Sequence, residues 1–336
     1  MKCWAKNARR ASLRHSATSL LVFTLLTGGA RTQETTLRSQ SNIVIVPALV
    51  KDQQGGIVHG LQVKDFIVED NGVEQPAHLD EAPEGQPISL VVALQRGGRA
   101  YAEFPRMQGL KSMLDPLFSL GTARVALIEF DSQIALTRDF TRDATLVEDD
   151  LKNLQPGDGG ATILDAVAYS VSLLKKEPED RLRVLLLISE TRDHGSIAKI
   201  DDTVKAIGQS NALIYALAFS PALSNLLDTG RGTNQNEMHN GINFLDLAYR
   251  TAQAMRKNIP STIASMTGGE YELFATRKKF EVRMNDFTNH LHSRYLLSFA
   301  PRSPQPGLHQ VRVRLRDPGD ATVLARTTYW AEATKQ

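Results

Sequence analysis

The fold is indicated first by the stretch Pro87-Ile88-Ser89-Leu90-Val91-Val92-Ala93-Leu94, which is nearly all apolar. A run of this kind is typical of a strand that is buried on both faces of a parallel sheet. Three more apolar runs follow along the chain, at 124–130, 183–189 and 212–219. The segments between them repeat apolar residues at helical spacing, as in Ile163, Val167, Val171 and Leu174. This alternation predicts an α/β fold with a doubly wound, mostly parallel sheet and helices on both faces.

Several details of this α/β region follow from local patterns. The segment 134–140 is expected to be an edge strand of the sheet. A helix is predicted over 104–117, with Pro105 in its first turn. A second, longer helix is predicted over 245–267, where it ends at two glycines. The segment 221–243 is rich in Gly, Asn, Ser and Thr, and it is interpreted as a mobile insertion.

The two flanks of the α/β region are rich in β-strand patterns. The N-terminal flank, 42–82, contains the hairpin signal Asp70-Asn71-Gly72. The C-terminal flank, 294–331, includes alternating apolar and arginine residues over 311–316. Because neither flank can bury a core alone, the two are predicted to form one small β-sandwich.

The N-terminus has the layout of a secretory signal peptide. A basic stretch without acids is followed by an apolar run at 20–26 and by the small residues Gly28-Gly29-Ala30. The chain is therefore expected to be exported to the periplasm, the cell envelope or the medium, and an uncleaved N-terminal anchor is the alternative. The predicted organisation is then a signal peptide at 1–30, β segments at 31–86 and 294–336 that pair with each other, and an α/β domain at 87–293.

Charge, cysteine content and hydrophobicity indicate which properties the mature chain is not expected to have. The chain has 39 basic and 37 acidic residues. The predicted signal peptide contains basic but no acidic residues, so the mature protein is expected to be slightly acidic. Nucleic-acid binding is therefore not expected. The single cysteine, Cys3, lies in the signal peptide, so no disulfide is expected in the mature chain. No later segment is apolar and long enough to predict a transmembrane helix.

Four phrases in this order resemble a von Willebrand factor type A domain. They are the strand at 87–94, Gly159-Gly160-Ala161-Thr162, Leu187-Ile188-Ser189-Glu190-Thr191-Arg192-Asp193-His194-Gly195-Ser196, and Thr267-Gly268-Gly269. The β flanks are similar to those of exported bacterial VWFA-related proteins. The resemblance implies a metal-ion-dependent adhesion site at the carboxyl ends of the strands, where one loop supplies Asp-x-Ser-x-Ser and two others supply a Thr and a second Asp to Mg²⁺.

This sequence departs from the family pattern in the first loop. Aligned on the first strand, Gln95 stands in place of the Asp, Gly97 in place of the first Ser, and Arg99 in place of the second. The Thr is present as Thr162, and Glu190 stands where the second Asp is usual. A divalent cation needs several oxygen ligands and is repelled by a guanidinium, so a degenerate site without bound metal is predicted.

The candidate binding residues are those at the ends of these loops: Gln95, Arg96, Arg99, Thr162, Glu190 and Asp193. Arg96 or Arg99 is expected to pair with Glu190 or Asp193, or to bind a carboxylate of a partner. If a cation such as Mg²⁺ binds after all, its ligands are expected to be Thr162, Glu190 and Asp193.

Structural roles compete with these functional ones. Thr162 with Asp165 three residues later fits a variant of the helix capping box, so capping and ligand contact both stay open. The segment 190–193 could be a solvated charged loop. The segment 96–99 could be a relaxed turn that remains after a metal site was lost.

An enzyme is not predicted. The run Asp193-His194-Gly195-Ser196 contains the residue types of a catalytic triad, but neighbours in sequence rarely meet triad geometry. The sequence has no Gly-x-Ser-x-Gly, His-Glu-x-x-His or phosphate-loop motif. The predicted function is an exported protein–protein interaction module that uses the loops at the carboxyl ends of the sheet and recognises an acidic group of a protein partner. A scaffold component of the cell envelope and a Mg²⁺-dependent adhesion domain with an atypical site are the alternatives.

Overall fold

The fold is described from a computed structural model, and the residues described are 43–80, 86–107, 109–119, 121–219, 244–302 and 305–332. The predicted signal peptide at 1–30 and the predicted insertion at 221–243 lie outside them. The strands are β1 (Val44–Lys51), β2 (Phe66–Asp70), β3 (Val73–Gln75), β4 (Ala77–Asp80), β5 (Ile88–Gln95), β6 (Ala123–Phe130), β7 (Ile134–Thr141), β8 (Leu182–Ser189), β9 (Leu213–Phe219), β10 (Tyr271–Phe274), β11 (Tyr295–Phe299), β12 (Gly307–Leu315), β13 (Thr322–Ala325) and β14 (Thr328–Ala331). The helices are α1 (Leu110–Ser119), α2 (Ala144–Lys152), α3 (Ile163–Leu174), α4 (Ile200–Gly208), α5 (Phe244–Lys257), α6 (Ile259–Thr267) and α7 (Arg277–His292).

The central sheet has six strands in the order β10-β9-β8-β5-β6-β7. Its strands are parallel except for β7, which pairs antiparallel with β6 at the edge. Every residue of β5 is buried, because β6 and β8 flank it and helices cover both faces of the sheet. The predicted doubly wound sheet and its edge strand are confirmed.

Helices cover the two faces of this sheet in separate layers. On one face, Leu114 of α1 and Phe280 and Met284 of α7 pack against β5, β8 and β9. On the other face, α3, α4, α5 and α6 form the layer, with Val167 and Ile263 among its fully buried side chains. Each face therefore has its own hydrophobic core, as a doubly wound fold requires.

The flanking strands form two further antiparallel sheets of four strands each. Their orders are β13-β1-β11-β4 and β14-β12-β2-β3, so both sheets combine strands from the two ends of the chain. Val46 pairs with Leu297 in one sheet and Val68 with Val313 in the other. The inner faces of the two sheets share one hydrophobic core. The predicted β-sandwich from the two flanks is confirmed, and the domain limits stay a prediction.

Two helix predictions were wrong in detail. The segment predicted as one helix over 104–117 is a 3₁₀ helix over 100–107 followed by α1, and Gly109 between them has φ of +91°, which ends helical geometry. The helix predicted over 245–267 is broken into α5 and α6 at Asn258. The Asn258 side chain accepts a hydrogen bond from the Ser261 N–H and so caps α6, and Pro260 occupies its first turn.

Among the described residues, no helix has the length and apolar character needed to cross a membrane.

Candidate functional site

The candidate site lies at the carboxyl edge of the central sheet, beside β5. The strand order reverses there, because the chain runs from β5 outward to β6 on one side and later returns to β8 on the other. In open α/β sheets, the loops that diverge at such a point leave a crevice in which ligands bind. Gln95 is the last residue of β5 and Glu190 directly follows β8, so both lie at this crevice.

Gln95 and Glu190 are joined directly by two hydrogen bonds. The backbone N–H of Glu190 donates to Gln95 Oε1 at 2.9 Å. The Gln95 Nε2 amide donates to Glu190 Oε1 at 2.8 Å and to the Gly97 carbonyl at 3.1 Å. Gln95 is fully buried, and all its amide groups have partners. The loops after β5 and β8 are therefore connected by a carboxamide.

The glycines after Gln95 are required by the close approach of the neighbouring loop. A Cβ at Gly97 would lie 2.1 Å from the Gly160 carbonyl oxygen and 2.9 Å from Asp131 Cα. Gly98 has φ of +59°, and a Cβ there would lie 3.4 Å from Glu190 Oε1. The Gly98 N–H also donates to the Asp158 carbonyl at 2.7 Å. The loop 96–99 is therefore tightly built, and its interpretation as a relaxed turn is wrong.

The two arginines of this loop have different surroundings. Arg96 Nη2 pairs with Asp131 Oδ2 at 2.9 Å, and Asp131 is buried. The predicted pairing of Arg96 with Glu190 or Asp193 is wrong, because Asp131, directly after β6, is the nearer carboxylate. Arg99 is exposed, and within the part of the chain that the structure describes its guanidinium forms no ion pair. Arg99 is thus the arginine of this loop that is accessible to a partner.

Thr162 lies at the N-terminus of α3, but its hydroxyl does not cap the helix. Both its backbone N–H and its Oγ1 donate to the Asp131 carbonyl, at 2.9 Å and 3.0 Å. The capping box predicted for Thr162 and Asp165 is therefore wrong. The hydroxyl instead joins the loop before α3 to the loop after β6.

The cap of α3 comes from the loop after β8. Asp193 Oδ1 accepts from the Leu164 N–H at 3.0 Å and from Ser196 Oγ at 2.6 Å. In return, the Asp165 carboxylate accepts from the N–H groups of Ile197 and Ala198, at 2.9 Å and 2.6 Å. These reciprocal bonds hold Asp193 as a structural residue and fix the backbone of the loop over 193–198.

The run from Asp193 to Ser196 does not have the geometry of a triad. Ser196 Oγ donates to Asp193 directly and accepts from the Asp165 N–H. The His194 ring is more than half exposed, and its Nε2 lies 3.9 Å from Glu190 Oε2. A catalytic base must lie between the nucleophile and the carboxylate, and His194 does not.

Sequence reasoning missed two acids of this site, Asp131 and Asp158. Asp158 accepts from the backbone N–H groups of Ser132 and Gly160, at 2.9 Å and 2.8 Å. Donation from the Ser132 hydroxyl and the Gly160 N–H lowers the pKa of Asp158 below its ordinary value. The signal for Asp131 was present, because it directly follows a predicted buried strand, as Gln95 does. Both acids hold the loops after β5, β6 and before α3 together.

The residues present do not fit the divalent cation of the adhesion site. The first loop offers no carboxylate or hydroxyl, and the Gln95 amide already donates to Glu190 Oε1. Thr162 Oγ1 donates to a backbone carbonyl, and Asp193 is engaged in capping α3. Across the described ranges, no group of three or more His, Cys, Asp and Glu side chains is arranged to hold a metal ion.

An open groove of about 490 Å³ lies beside the site, between the loop after β6 and the loop after β8. Its lining includes Ser132, Ile134, Asp165 and Ile197. Ile197 is 92% exposed although its backbone is held by Asp165, so an apolar side chain is presented to solvent in a fixed position.

Comparison with known proteins identifies one family model and several similar solved structures. Residues 97–192 match the family model described as von Willebrand factor type A domain. Among solved structures, the chain is similar to the conserved hypothetical protein BatB from Bacteroides thetaiotaomicron, with 16% identity and a TM-score of 0.42 over 61% of this chain and 98% of that one. An aerotolerance-related membrane protein from Bacteroides fragilis is similar with 18% identity and a TM-score of 0.41, over 60% and 98% of the two chains.

A third similar structure is the PilB minor pilin from Streptococcus sanguinis, with 11% identity and a TM-score of 0.41 over 62% of each chain. No curated protein matches the chain. The matched family residues begin in the loop after β5 and end in the loop after β8, and they include Arg99, Thr162 and Glu190. The chain therefore contains a von Willebrand factor type A domain.

Proposed function

We propose that this chain is an exported, non-enzymatic protein-interaction module, which binds its partner through the loops at the carboxyl edge of the type A sheet without a bound metal. The observation that carries the proposal is the convergence of the loops after β5 and β8 at the point where the strand order reverses. These loops are locked together by internal hydrogen bonds, so the surface is formed before a partner arrives. A surface that needs no ordering loses less entropy on binding.

Arg99 is the proposed contact for an acidic group of the partner. It is exposed, and it stands at the rim of the crevice, next to the buried bridge between Gln95 and Glu190. The neighbouring Arg96 is neutralised by Asp131. A guanidinium without an internal partner can bind a carboxylate through two parallel hydrogen bonds.

The groove beside the crevice supplies the apolar part of the proposed surface. Ile197 presents an aliphatic side chain that is 92% exposed on a backbone fixed by Asp165. Recognition surfaces commonly combine a few apolar or arginine anchors with a polar surround. Arg99 and Ile197 provide one anchor of each kind on this edge of the sheet.

Export is proposed from the N-terminal sequence. The basic stretch, the apolar run at 20–26 and the small residues at 28–30 are the features of a secretory signal peptide. An exported module of this kind would find its partner in the cell envelope or outside the cell.

The proposal is tested by comparing partners captured with the Arg99→Glu variant and with the unmodified chain. Purified chains would be crosslinked to native envelope fractions, and the captured proteins quantified by mass spectrometry. Lys176→Glu is the matched control, because Lys176 is also exposed but follows α3 at the opposite end of the sheet. Partners lost with Arg99→Glu and kept with Lys176→Glu support the proposal. Identical partners for all three chains would favour the scaffold function instead.

A further inference from the structure

The orientation of the Gln95 side chain is fixed by its surroundings. A backbone N–H can only donate, so the atom that accepts from the Glu190 N–H at 2.9 Å must be the amide oxygen. The amide nitrogen then faces two acceptors, Glu190 Oε1 at 2.8 Å and the Gly97 carbonyl at 3.1 Å. The reverse orientation would oppose donor to donor and acceptor to acceptor, so no flipped state competes with it.

We propose that the Gln95 carboxamide is the permanent link between the loops after β5 and β8, in the place where a type A domain of the adhesion kind has its cation. Gln95 is a positioning residue: it holds Glu190 and the turn at Gly97 in one arrangement. The inference rests on the proposed function only in taking this edge of the sheet as the binding surface.

Distances explain why the amide and a cation exclude each other. Mg²⁺ binds its oxygen ligands at about 2.0–2.1 Å, so an ion on Glu190 Oε1 needs the space that the amide N–H occupies. The amide lies 2.8 Å from that oxygen, and a Cβ on Gly98 would lie 3.4 Å from the same oxygen, so the space around the bridge is already occupied. The amide is also part of the chain and, unlike a bound ion, is not lost on dilution, so this link between the two loops requires no ion.

Within the described ranges, Glu190 pairs with no Lys or Arg side chain. Its Oε1 accepts from a neutral amide, and the titratable group on its other side, His194, has Nε2 at 3.9 Å from Oε2. The Glu190 side chain is 20% exposed. The contact between the two side chains is therefore one hydrogen bond from a neutral amide to a carboxylate, beside the bond from the Glu190 backbone N–H. Replacing the amide nitrogen by oxygen removes that side-chain bond.

The variant Gln95→Glu makes that exchange, because it replaces the amide nitrogen by an oxygen without changing the shape of the side chain. Two carboxylate oxygens would then face each other across the bridge, which either destabilises the fold or forces the pair to share a proton. We expect Tm to fall by about 5 °C at pH 8 and the loss to shrink as the pH is lowered towards 5. Gln133→Glu is the control, since it adds a carboxylate to an exposed residue of the same edge.

The double variant Gln95→Glu with Glu190→Gln exchanges the two residues. It separates the loss of the hydrogen bond between them from the general effect of substituting residue 95. It returns one amide and one carboxylate to the same two positions, with the donor now on residue 190 and the backbone N–H of that residue still donating. We expect it to recover part of the Tm lost in Gln95→Glu, because the donor between the two side chains returns, whereas the hydrogen bond from position 95 to the Gly97 carbonyl does not. The inference is overturned if Gln95→Glu has the Tm of the unmodified chain at pH 8, or if the double variant is no more stable than Gln95→Glu. Both readouts use the protein alone, so they are independent of whether the partner test succeeds.

Discussion

Two carboxylates, Glu190 and Glu270, lie in different regions of the molecule and are held in opposite ways. Glu190, at the carboxyl edge of the sheet, accepts from the neutral amide of Gln95. Glu270 lies between α6 and β10, and it accepts from Lys51 Nζ at 2.8 Å, His290 Nδ1 at 2.9 Å and Arg294 Nη2 at 3.2 Å.

The difference separates a region that stabilises the fold from the region that is proposed to bind a partner. Lys51 belongs to β1, so Glu270 connects the β-sandwich to the central sheet through charges that neutralise it. Burial opposes ionisation of Glu270, but the hydrogen bond from His290 and the charges of Arg294 and Lys51 outweigh it and lower its pKa to about 2. Glu190 has no such cluster, and it is positioned by shape and a neutral hydrogen bond. Its surroundings therefore leave charge exposed at the surface where a partner is proposed to bind.

Removing the two carboxylates should give unequal losses of stability. Glu270→Ala leaves Lys51 and the buried Arg294 without their acid, and breaking a buried ionic group of this kind costs about 3–5 kcal/mol. Glu190→Ala removes one hydrogen bond at a partly exposed position, at a cost of about 1–2 kcal/mol. Urea unfolding of both variants measures the free energies. Equal losses would remove the distinction between the two regions.

Acid should weaken the junction through Glu270. Its pKa is about 2 in the folded protein and 4.5 in the reference state, so its contribution is fully present above pH 4.5 and is lost as the pH falls towards 2. The free energy of unfolding should therefore fall over that window, and the fall should be smaller in Glu270→Gln, which cannot ionise. A thermal unfolding series from pH 6 to pH 2.5 compares the two chains. Parallel curves would contradict the assignment.

Restoring the family's serine at the first loop should destabilise the type A domain. In Gly97→Ser the new Cβ would lie 2.1 Å from the Gly160 carbonyl, so the backbone of one loop must move, at a cost of about 1–3 kcal/mol. Gly159→Ser is the matched control, because nothing lies within 4 Å of a Cβ at that position. Chemical denaturation distinguishes them, and a Gly97→Ser variant as stable as Gly159→Ser would show that the loop has room for a hydroxyl ligand.

Sequence patterns correctly predicted the elements that are determined by residues close together in the chain. The buried strand β5 and the hairpin at Asn71 and Gly72 depend on hydrophobic runs and on turn residues within a few positions. The break at Asn258 was missed because apolar residues continue at helical spacing across it, although Asn258 as a cap and Pro260 in the next turn are local signals for a new helix. Hydrophobic spacing alone does not distinguish one continuous helix from two helices that follow each other directly.

The candidate site was predicted in its location and not in its bonds. Gln95, Arg99 and Glu190 follow from strand ends and from the family resemblance. The partners of Arg96 and Thr162 do not, because both contact Asp131, which is more than thirty positions from either. Such contacts depend on how closely the loops after β5, β6 and before α3 approach, and that distance is set by Gly97 and Gly160 in three dimensions.

Calorimetric titration of the purified chain with Mg²⁺ and Mn²⁺ tests the central claim most directly. The carboxamide bridge occupies Glu190 Oε1, and no cluster of His, Cys, Asp and Glu in the described part of the chain is arranged to hold a metal ion. We therefore predict no saturable binding up to millimolar concentrations of either ion. Micromolar binding that is abolished in Glu190→Ala would contradict the account, because it would place a cation where the amide is assigned.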